Sequence, residues 1–337
     1  MNKAKHAVSL FVSYAQKILQ SGTSIRPKTL SIETTNRCNL DCPFCLVGMQ
    51  GELESVAHSE LPRPWGGMSL VLFEKIARDA KAFGIHRMQL HFQGEPLMHK
   101  QFVDFIRISK KHGLNTQVFT NGLLLNPELS REIIRAGLDS IRFSVDGATQ
   151  EVYALNRVGG QFDLVYKNMA DMVRIAKEEK SSMELCWQLI AMRNNEHEID
   201  LARKMAQKIG IPYTVKTFAE SIPGSAPSSP KYRRQLQVKP CKDIYRAIFV
   251  YWTGEVVPCC YDLAGKEVMG NLETQTLEEI WNSSKYTDFR KHLEEVREHP
   301  ENEPALCKSC LKWTSPSHAD LTQRDSSKSV QSALEEA

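Results

Sequence analysis

The chain has 337 residues, 42% hydrophobic and 25% charged, with a net charge of +3: enough length for about two domains, in a composition ordinary for a globular protein. So mild a balance gives no reason to expect a polyanionic partner, and the densest basic run, 231–239, reads as a solvated loop, so nucleic acid is not an expected partner. Nine cysteines without a secretory leader argue against a disulfide framework and for metal ligation or reactive thiols in a reducing, cytoplasmic setting.

In chain order, residues 4–20 form an amphipathic stretch too short and too polar to span a bilayer, and a docking helix within residues 1–27 is expected. From residue 30 to 218, β-like runs alternate with helix-length amphipathic stretches. The strands are expected at 30–35, 87–93, 116–120, 140–145, 184–192 and 213–218, and the helices at 69–84, 101–113, 127–137, 161–179 and 198–210. Six βα units in series imply a parallel sheet with right-handed crossovers, either curled into a partial barrel or doubly wound. Chemistry then belongs at the C-terminal ends of the strands. The sequence oddities fall there: three cysteines after the first strand, QGEP after the second, TNG after the third and SVDG at the fourth. The expected organisation is a barrel unit over 28–220, a Pro- and Ser-rich linker over 221–240, a small cysteine-bearing unit over 241–313 and a polar tail over 314–337. The loop 46–68 is long for a βα connection and is expected to help cover the substrate.

Cys38, Cys42 and Cys45 are spaced C-x3-C-x2-C. A cubane iron–sulfur cluster held by only three thiolates keeps one iron open to a small molecule. A zinc site completed by histidine is the competing reading, but the loop contains no histidine. With QGEP, TNG and SVDG following in order, residues 28–220 resemble the radical S-adenosylmethionine (SAM) superfamily.

The resemblance implies a partial (β/α)6 TIM-like barrel with a small C-terminal iron–sulfur domain. Cys38, Cys42 and Cys45 would hold a [4Fe–4S] cluster that chelates SAM, with Phe44 beside the nucleoside. Gly94, Glu95 and Pro96 match the family's Gly-Gly-Glu-Pro motif, whose first glycine is replaced by Gln93. Glu95 would accept from the SAM ammonium, Ser144 and Arg157 would hold the ribose and carboxylate, Asn121 would assist, and Met192 or its neighbours would pack the adenine largely through backbone. A reduced cluster then cleaves SAM to a 5′-deoxyadenosyl radical, which takes a hydrogen atom from substrate.

Cys241, Cys259, Cys307 and Cys310 form a second set. Cys241-x12-Gly254-x4-Cys259 resembles the opening of the SPASM extension, and the absence of cysteines after Cys310 resembles its truncated twitch form. A zinc ribbon is the other reading of a Cys-x2-Cys pair. Four thiolates would close one auxiliary [4Fe–4S] cluster, leaving electron transfer as its simplest use. The spacing resembles the 2-deoxy-scyllo-inosamine dehydrogenase subfamily, which implies oxidation of a hydroxyl on a sugar- or cyclitol-like small molecule, with a flavodoxin or ferredoxin as reductant. Peptide modification and epimerisation with Cys260 or Cys186 as hydrogen donor are alternatives, and His91 is a candidate base.

Overall fold

The computed structural model describes residues 26–45, 47, 63–217, 225–233, 241, 243–296 and 304–308. The expected helix at 4–20, the 314–337 tail, Cys310 and most of the 46–68 loop lie outside the described residues.

Six parallel strands follow one another in both sequence and space: β1 (Thr29–Ile32), β2 (Arg87–Gln89), β3 (Asn115–Thr120), β4 (Ser140–Ser144), β5 (Glu184–Ala191) and β6 (Tyr213–Thr217). Because the order never reverses, the sheet winds one way into a partial (β/α)6 barrel and is not doubly wound. The interstrand helices are α1 (Leu70–Phe83), α2 (Phe102–Lys111), α3 (Pro127–Arg135), α4 (Gln150–Asn156), α5 (Phe162–Glu178) and α6 (Ile199–Ile209). Their starts are specified locally. The Ser69 hydroxyl accepts from the Leu72 N–H, and the Asn126 side chain accepts from Leu129 ahead of Pro127 at the first helical position.

Strand side chains alternate between two surroundings. Leu30, Met88, Val118, Ile141, Phe143, Trp187 and Leu189 join the main apolar cluster with the helices. Ser31, Gln117, Phe119, Arg142, Ser144, Cys186 and Gln188 alternate with them and face the lumen.

The sheet continues past the sixth unit. β7 (Ala247–Val250) lies parallel to β1 on its free side, with Thr29 to Ile32 opposite Ala247 to Val250. β8 (Glu255–Val257) and β9 (Gly270–Asn271) follow antiparallel, giving the order β6-β5-β4-β3-β2-β1-β7-β8-β9. Three short helices, α7 (Leu277–Trp281), α8 (Ser284–Glu295) and α9 (Ala305–Lys308), cover this extension. Among the described residues no helix is long and apolar enough to cross a membrane.

Candidate active site

The loop carrying the first three cysteines leaves β1 and is fixed by the loop that leaves β2. Gly94 sits at φ +71, and a Cβ there would meet the Thr35 carbonyl oxygen at 2.3 Å and that of Arg37 at 2.7 Å. Only glycine lets these two backbones touch. Glu95 then donates its N–H to the Arg37 carbonyl at 2.8 Å, beside Cys38.

The Glu95 carboxylate is buried and accepts from Thr120 Oγ1 (2.7 Å), Asn121 N (2.7 Å) and Leu97 N (3.1 Å), the last capping the 3₁₀ turn that opens at Pro96. Burial pushes its pKa up against these three donors. A carboxylate has about four acceptor positions. Three are spent on its own chain, so one remains for a cationic donor. Asn121 has a second duty: its side chain donates to Asn39 Oδ1 at 2.7 Å, tying the third strand's end into the cysteine loop.

Across the barrel mouth, the fully buried Asp146 accepts from Arg157 Nε (2.8 Å) and Nη2 (2.6 Å) and from the Ile190 N–H (2.6 Å). Asn156 and Asn195 both donate to its carbonyl, so the whole loop is pinned. Burial opposes the Arg157 charge, but Asp146 and the adjacent Cys42 thiol hold its pKa above the ordinary value. Arg157 Nη1 reaches Cys42 Sγ at 3.6 Å, and its guanidinium lies 5.1 Å from the Phe44 ring centroid. Arg157 therefore joins the cysteine loop, Phe44 and the strand-four loop. Asp146 was not singled out from the sequence, although it stands within SVDG two residues from Ser144.

Ser144 points into the lumen opposite Gln188. Met192 is buried; its N–H donates to Asn195 Oδ1 and its carbonyl accepts from Asn195 and Glu196. Its backbone is thus spent in the turn, against the expectation that it packs the adenine through backbone.

Of the second thiol set, Cys241, Cys259 and Cys307 lie within the described residues. Cys241 and Cys307 pack on the apolar cluster of Ile244, Leu293 and Val296. The hydrogen bond from Cys260, then burial, then the charges of Cys260 and, more weakly, Cys241 push the Cys259 pKa up. Cys260 also packs against Phe249, Tyr251 and Val257. Cys186, by contrast, sits inside β5, 3.5 Å from Arg142 Nη1 and 3.3 Å from Thr214 Oγ1.

A further network was missed in the sequence. Arg63 grips both Glu33 oxygens (2.7 and 3.0 Å), donates to Gln93 Oε1 (3.3 Å) and lies over Tyr251. Gln93 in turn donates to the Leu263 carbonyl at 3.1 Å, and the Trp252 N–H donates to Glu33 at 3.0 Å. The residue replacing the family glycine thus links the QGEP loop to the turn after Cys260. The end of the 46–68 loop is anchored here too, since Asn36 donates to the Pro64 carbonyl and accepts from Gly66 N–H.

The donor chemistry fits an iron–sulfur cluster. The first set is three thiols on one turn, and burial, with Glu95 and the other two thiols adding, pushes Cys38 up to about 12. Such a trio is unfavourable as free thiolates and is relieved by soft cationic iron. Among the described residues no three His, Cys, Asp or Glu side chains converge as ligands of a single ion would. A cubane requires no such convergence, because each thiolate takes its own iron. The one acceptor left on Glu95 and the buried Arg157 suit an amino acid's ammonium and carboxylate, which a SAM methionyl group carries.

Comparison with known proteins agrees with this chemistry. The model of the radical SAM superfamily matches residues 32–203, and that of SPASM, an iron–sulfur cluster-binding domain, matches 241–311. The chain is 26% identical over 311 residues to the tungsten-containing aldehyde ferredoxin oxidoreductase cofactor-modifying protein of Pyrococcus furiosus, covering 78% of this chain and 83% of that one. It is 24% identical over 319 residues to the PqqA peptide cyclase of Gluconobacter oxydans, covering 84% and 82%. The crystal structure of BtrN in complex with AdoMet and 2-DOIA is similar in fold, with a TM-score of 0.53 and 21% identity over 84% of this chain and 92% of that one.

Proposed function

The chain belongs to the radical SAM superfamily, and on that premise we propose that it is an oxidoreductase converting a hydroxyl of a sugar- or cyclitol-like small molecule to a carbonyl. As a radical SAM enzyme with a SPASM domain it uses SAM and iron–sulfur clusters and needs an external reductant, for which a flavodoxin or ferredoxin would serve. When bound, these groups supply a 5′-deoxyadenosyl radical able to take a hydrogen atom from a C–H bond, and an acceptor for a second electron.

Cys38, Cys42 and Cys45 would hold the SAM-binding cluster, and Cys241, Cys259, Cys307 and Cys310 one auxiliary cluster. Glu95 would receive the SAM ammonium, Arg157 would orient the carboxylate while Asp146 holds it, and Ser144 would hold the ribose. Phe44 and Met192 would pack the nucleoside. Gly94, Pro96 and Asn121 would position Glu95 and the cysteine loop. The domain proposal keeps 28–220 as the barrel and 241–313 as the auxiliary unit. Thiol ligands of this number suit a reducing cytoplasm.

One observation carries the oxidative reading: the Cys259–Cys260 turn is hydrogen-bonded, through Leu263 and Gln93, to the QGEP loop at the barrel mouth. The QGEP loop also bonds the Arg37 carbonyl beside Cys38, so it borders both thiol loops, an arrangement that suits one-electron exchange with a substrate. Likeness to the PqqA peptide cyclase supports a second reading, modification of a peptide. A third, epimerisation, would use Cys260 as hydrogen donor.

Anaerobically reconstituted protein with SAM and a reductant should take deuterium from a labelled polyol into 5′-deoxyadenosine and release a carbonyl product. Transfer from peptides alone would replace this reading with the second. Cys260→Ala should leave oxidation largely intact, whereas an epimerase would halt after hydrogen abstraction. Iron far below about eight atoms per chain would count against two four-iron clusters.

A further inference from the structure

Below Ser144 the lumen is built in layers. Deepest, Gln89 Nε2 donates to Gln117 Oε1 (3.2 Å), and Gln117 Nε2 donates to Ser140 Oγ (3.3 Å), closing a floor of satisfied amides. The next layer up joins β2 through β6. The His91 ring stacks on Phe119 with centroids 4.0 Å apart, and the Arg142 guanidinium lies 5.9 Å from the Phe119 centroid. Arg142 Nη1 donates to Cys186 Sγ, which meets Thr214 Oγ1.

His91 Nδ1 in this layer and Gln188 Oε1, one step nearer the mouth opposite Ser144, are both buried and form no hydrogen bond among the described residues, a state that costs about 1–3 kcal/mol each unless something in the lumen satisfies them. Arg142 is half-buried and forms no ion pair among the described residues.

The charges on the lumen face are lopsided. Glu33 is matched by Arg63 and Asp146 by Arg157, each at 2.7 Å or less. The Glu95 carboxylate spends three acceptor positions on its own chain. Lys216, two residues beyond Thr214 on β6, is exposed and forms no ion pair among the described residues. Arg142 and Lys216 therefore have no carboxylate partner among the described residues, and the one acceptor position left on Glu95 lies at the mouth with the SAM-binding residues.

We propose that this layer is a subsite for an oxyanion of the substrate, a phosphate or a carboxylate, with Arg142 as its anchor and Gln188 and His91 taking neighbouring hydroxyls. The assignment rests on the small-molecule reading above and narrows it to acidic polyols. Arg142 lies two residues, about 7 Å, deeper on β4 than Ser144. That offset lets an anchored substrate of sugar size present a C–H bond at the mouth, where the SAM-binding residues stand. A planar guanidinium suits bidentate capture of either anion. An aminated polyol would meet two uncompensated positive charges and is disfavoured.

The test is calorimetric titration of the SAM-loaded, cluster-replete protein with four probes on one carbon skeleton: glucose 6-phosphate, glucuronate, glucose and glucosamine. The expected result is binding of at least one anion about tenfold or more tighter than glucose, with glucosamine weakest. Which anion wins distinguishes phosphate from carboxylate. Arg142→Gln should erase the preference and Arg142→Lys keep part of it, while the wild-type ranking alone is decisive if a variant fails to fold. Equal affinities, a preference for the amine, a preference intact in Arg142→Gln, or no binding of any anion, inorganic phosphate included, would each overturn the subsite. Oxidation of a neutral polyol with no anion preference would sink the subsite and leave the oxidoreductase reading standing. Anion preference without hydrogen transfer from any polyol would do the reverse.

Discussion

The Arg63 guanidinium lies over the Tyr251 ring, 3.4 Å from its centroid, while two of its nitrogens hold both oxygens of Glu33. The side chains of Arg63 and Glu33 are 7% and 0% exposed, so this is a buried ion pair with a cation–π contact joining the end of the 46–68 loop, β1 and the residue after β7.

Removing one partner should be costly because the other charge stays buried. Arg63→Met or Glu33→Gln should each cost about 3–5 kcal/mol, seen as a lower Tm. The double variant Glu33→Gln/Arg63→Met should recover part of that loss, because no charge is left unpaired. Strictly additive losses in thermal unfolding of the three proteins would remove the ion pair from the explanation.

Two glycines with positive φ should respond differently to alanine. At Gly94 the new Cβ would strike the Thr35 and Arg37 carbonyl oxygens, so Gly94→Ala should separate the QGEP and cysteine loops and abolish SAM binding. At Gly159, φ +84, the nearest atom is Leu40 Cδ2 at 3.8 Å, so Gly159→Ala should cost only the left-handed strain of about 1–2 kcal/mol. Calorimetric titration with SAM and a melting curve on each variant check both.

Asp146→Ala should strand Arg157 in a buried position with Cys42 and Phe44 as its remaining neighbours. We expect the SAM Kd to rise by about tenfold or more and the Tm to fall together with it. Asp146→Asn keeps hydrogen-bonding capacity without charge and should lie between the two proteins. If SAM bound Asp146→Ala as tightly as wild type, Arg157 would not be held for SAM through Asp146.

Burial pushes the His91 pKa down to about 3 from an ordinary 6.5. Between those values the unfolded chain binds a proton that the folded chain refuses, so this group's contribution to stability rises with pH. It is fully present above about 6.5 and is lost as pH falls towards 3, at up to about 1.4 kcal/mol per unit. His91→Phe, which keeps the stack on Phe119, should flatten that stretch of the difference curve. Urea unfolding of both proteins from pH 7 to 4 tests it, and parallel curves would show that His91 titrates normally.

The barrel was legible in sequence because period-two strands and amphipathic helices are written locally. That the Cys38–Cys45 loop and the Gly94–Glu95 turn meet was legible because residue types at short spacing mark both loops and the glycine contact between them. What stayed hidden depends on long-range pairing. Nothing local says that Ala247–Val250 aligns with Thr29–Ile32, so the added strands β7–β9 could not be read. Asp146 was passed over because an Asp before Gly is ordinary turn chemistry, and its partner Arg157 lies a helix away. Gln93 looked like a weakened motif, and only the structure gives it partners, Arg63 and Leu263, on distant segments.

The parallel pairing of β7 with β1 has one more consequence. The Cys38–Cys45 loop follows β1 directly and the Cys259–Cys260 turn follows β8, so both hang from strands of a single sheet. Adjacent strands in such a sheet stand about 4.8 Å apart. β8 runs antiparallel to β7, so the Cys259–Cys260 turn leaves the sheet at the opposite end from the Cys38–Cys45 loop, and the pairing register of β1, β7 and β8 relates the two. Slipping β7 by one residue along β1 would move that turn by about 3.3 Å relative to the loop and turn every β7 side chain to the other face.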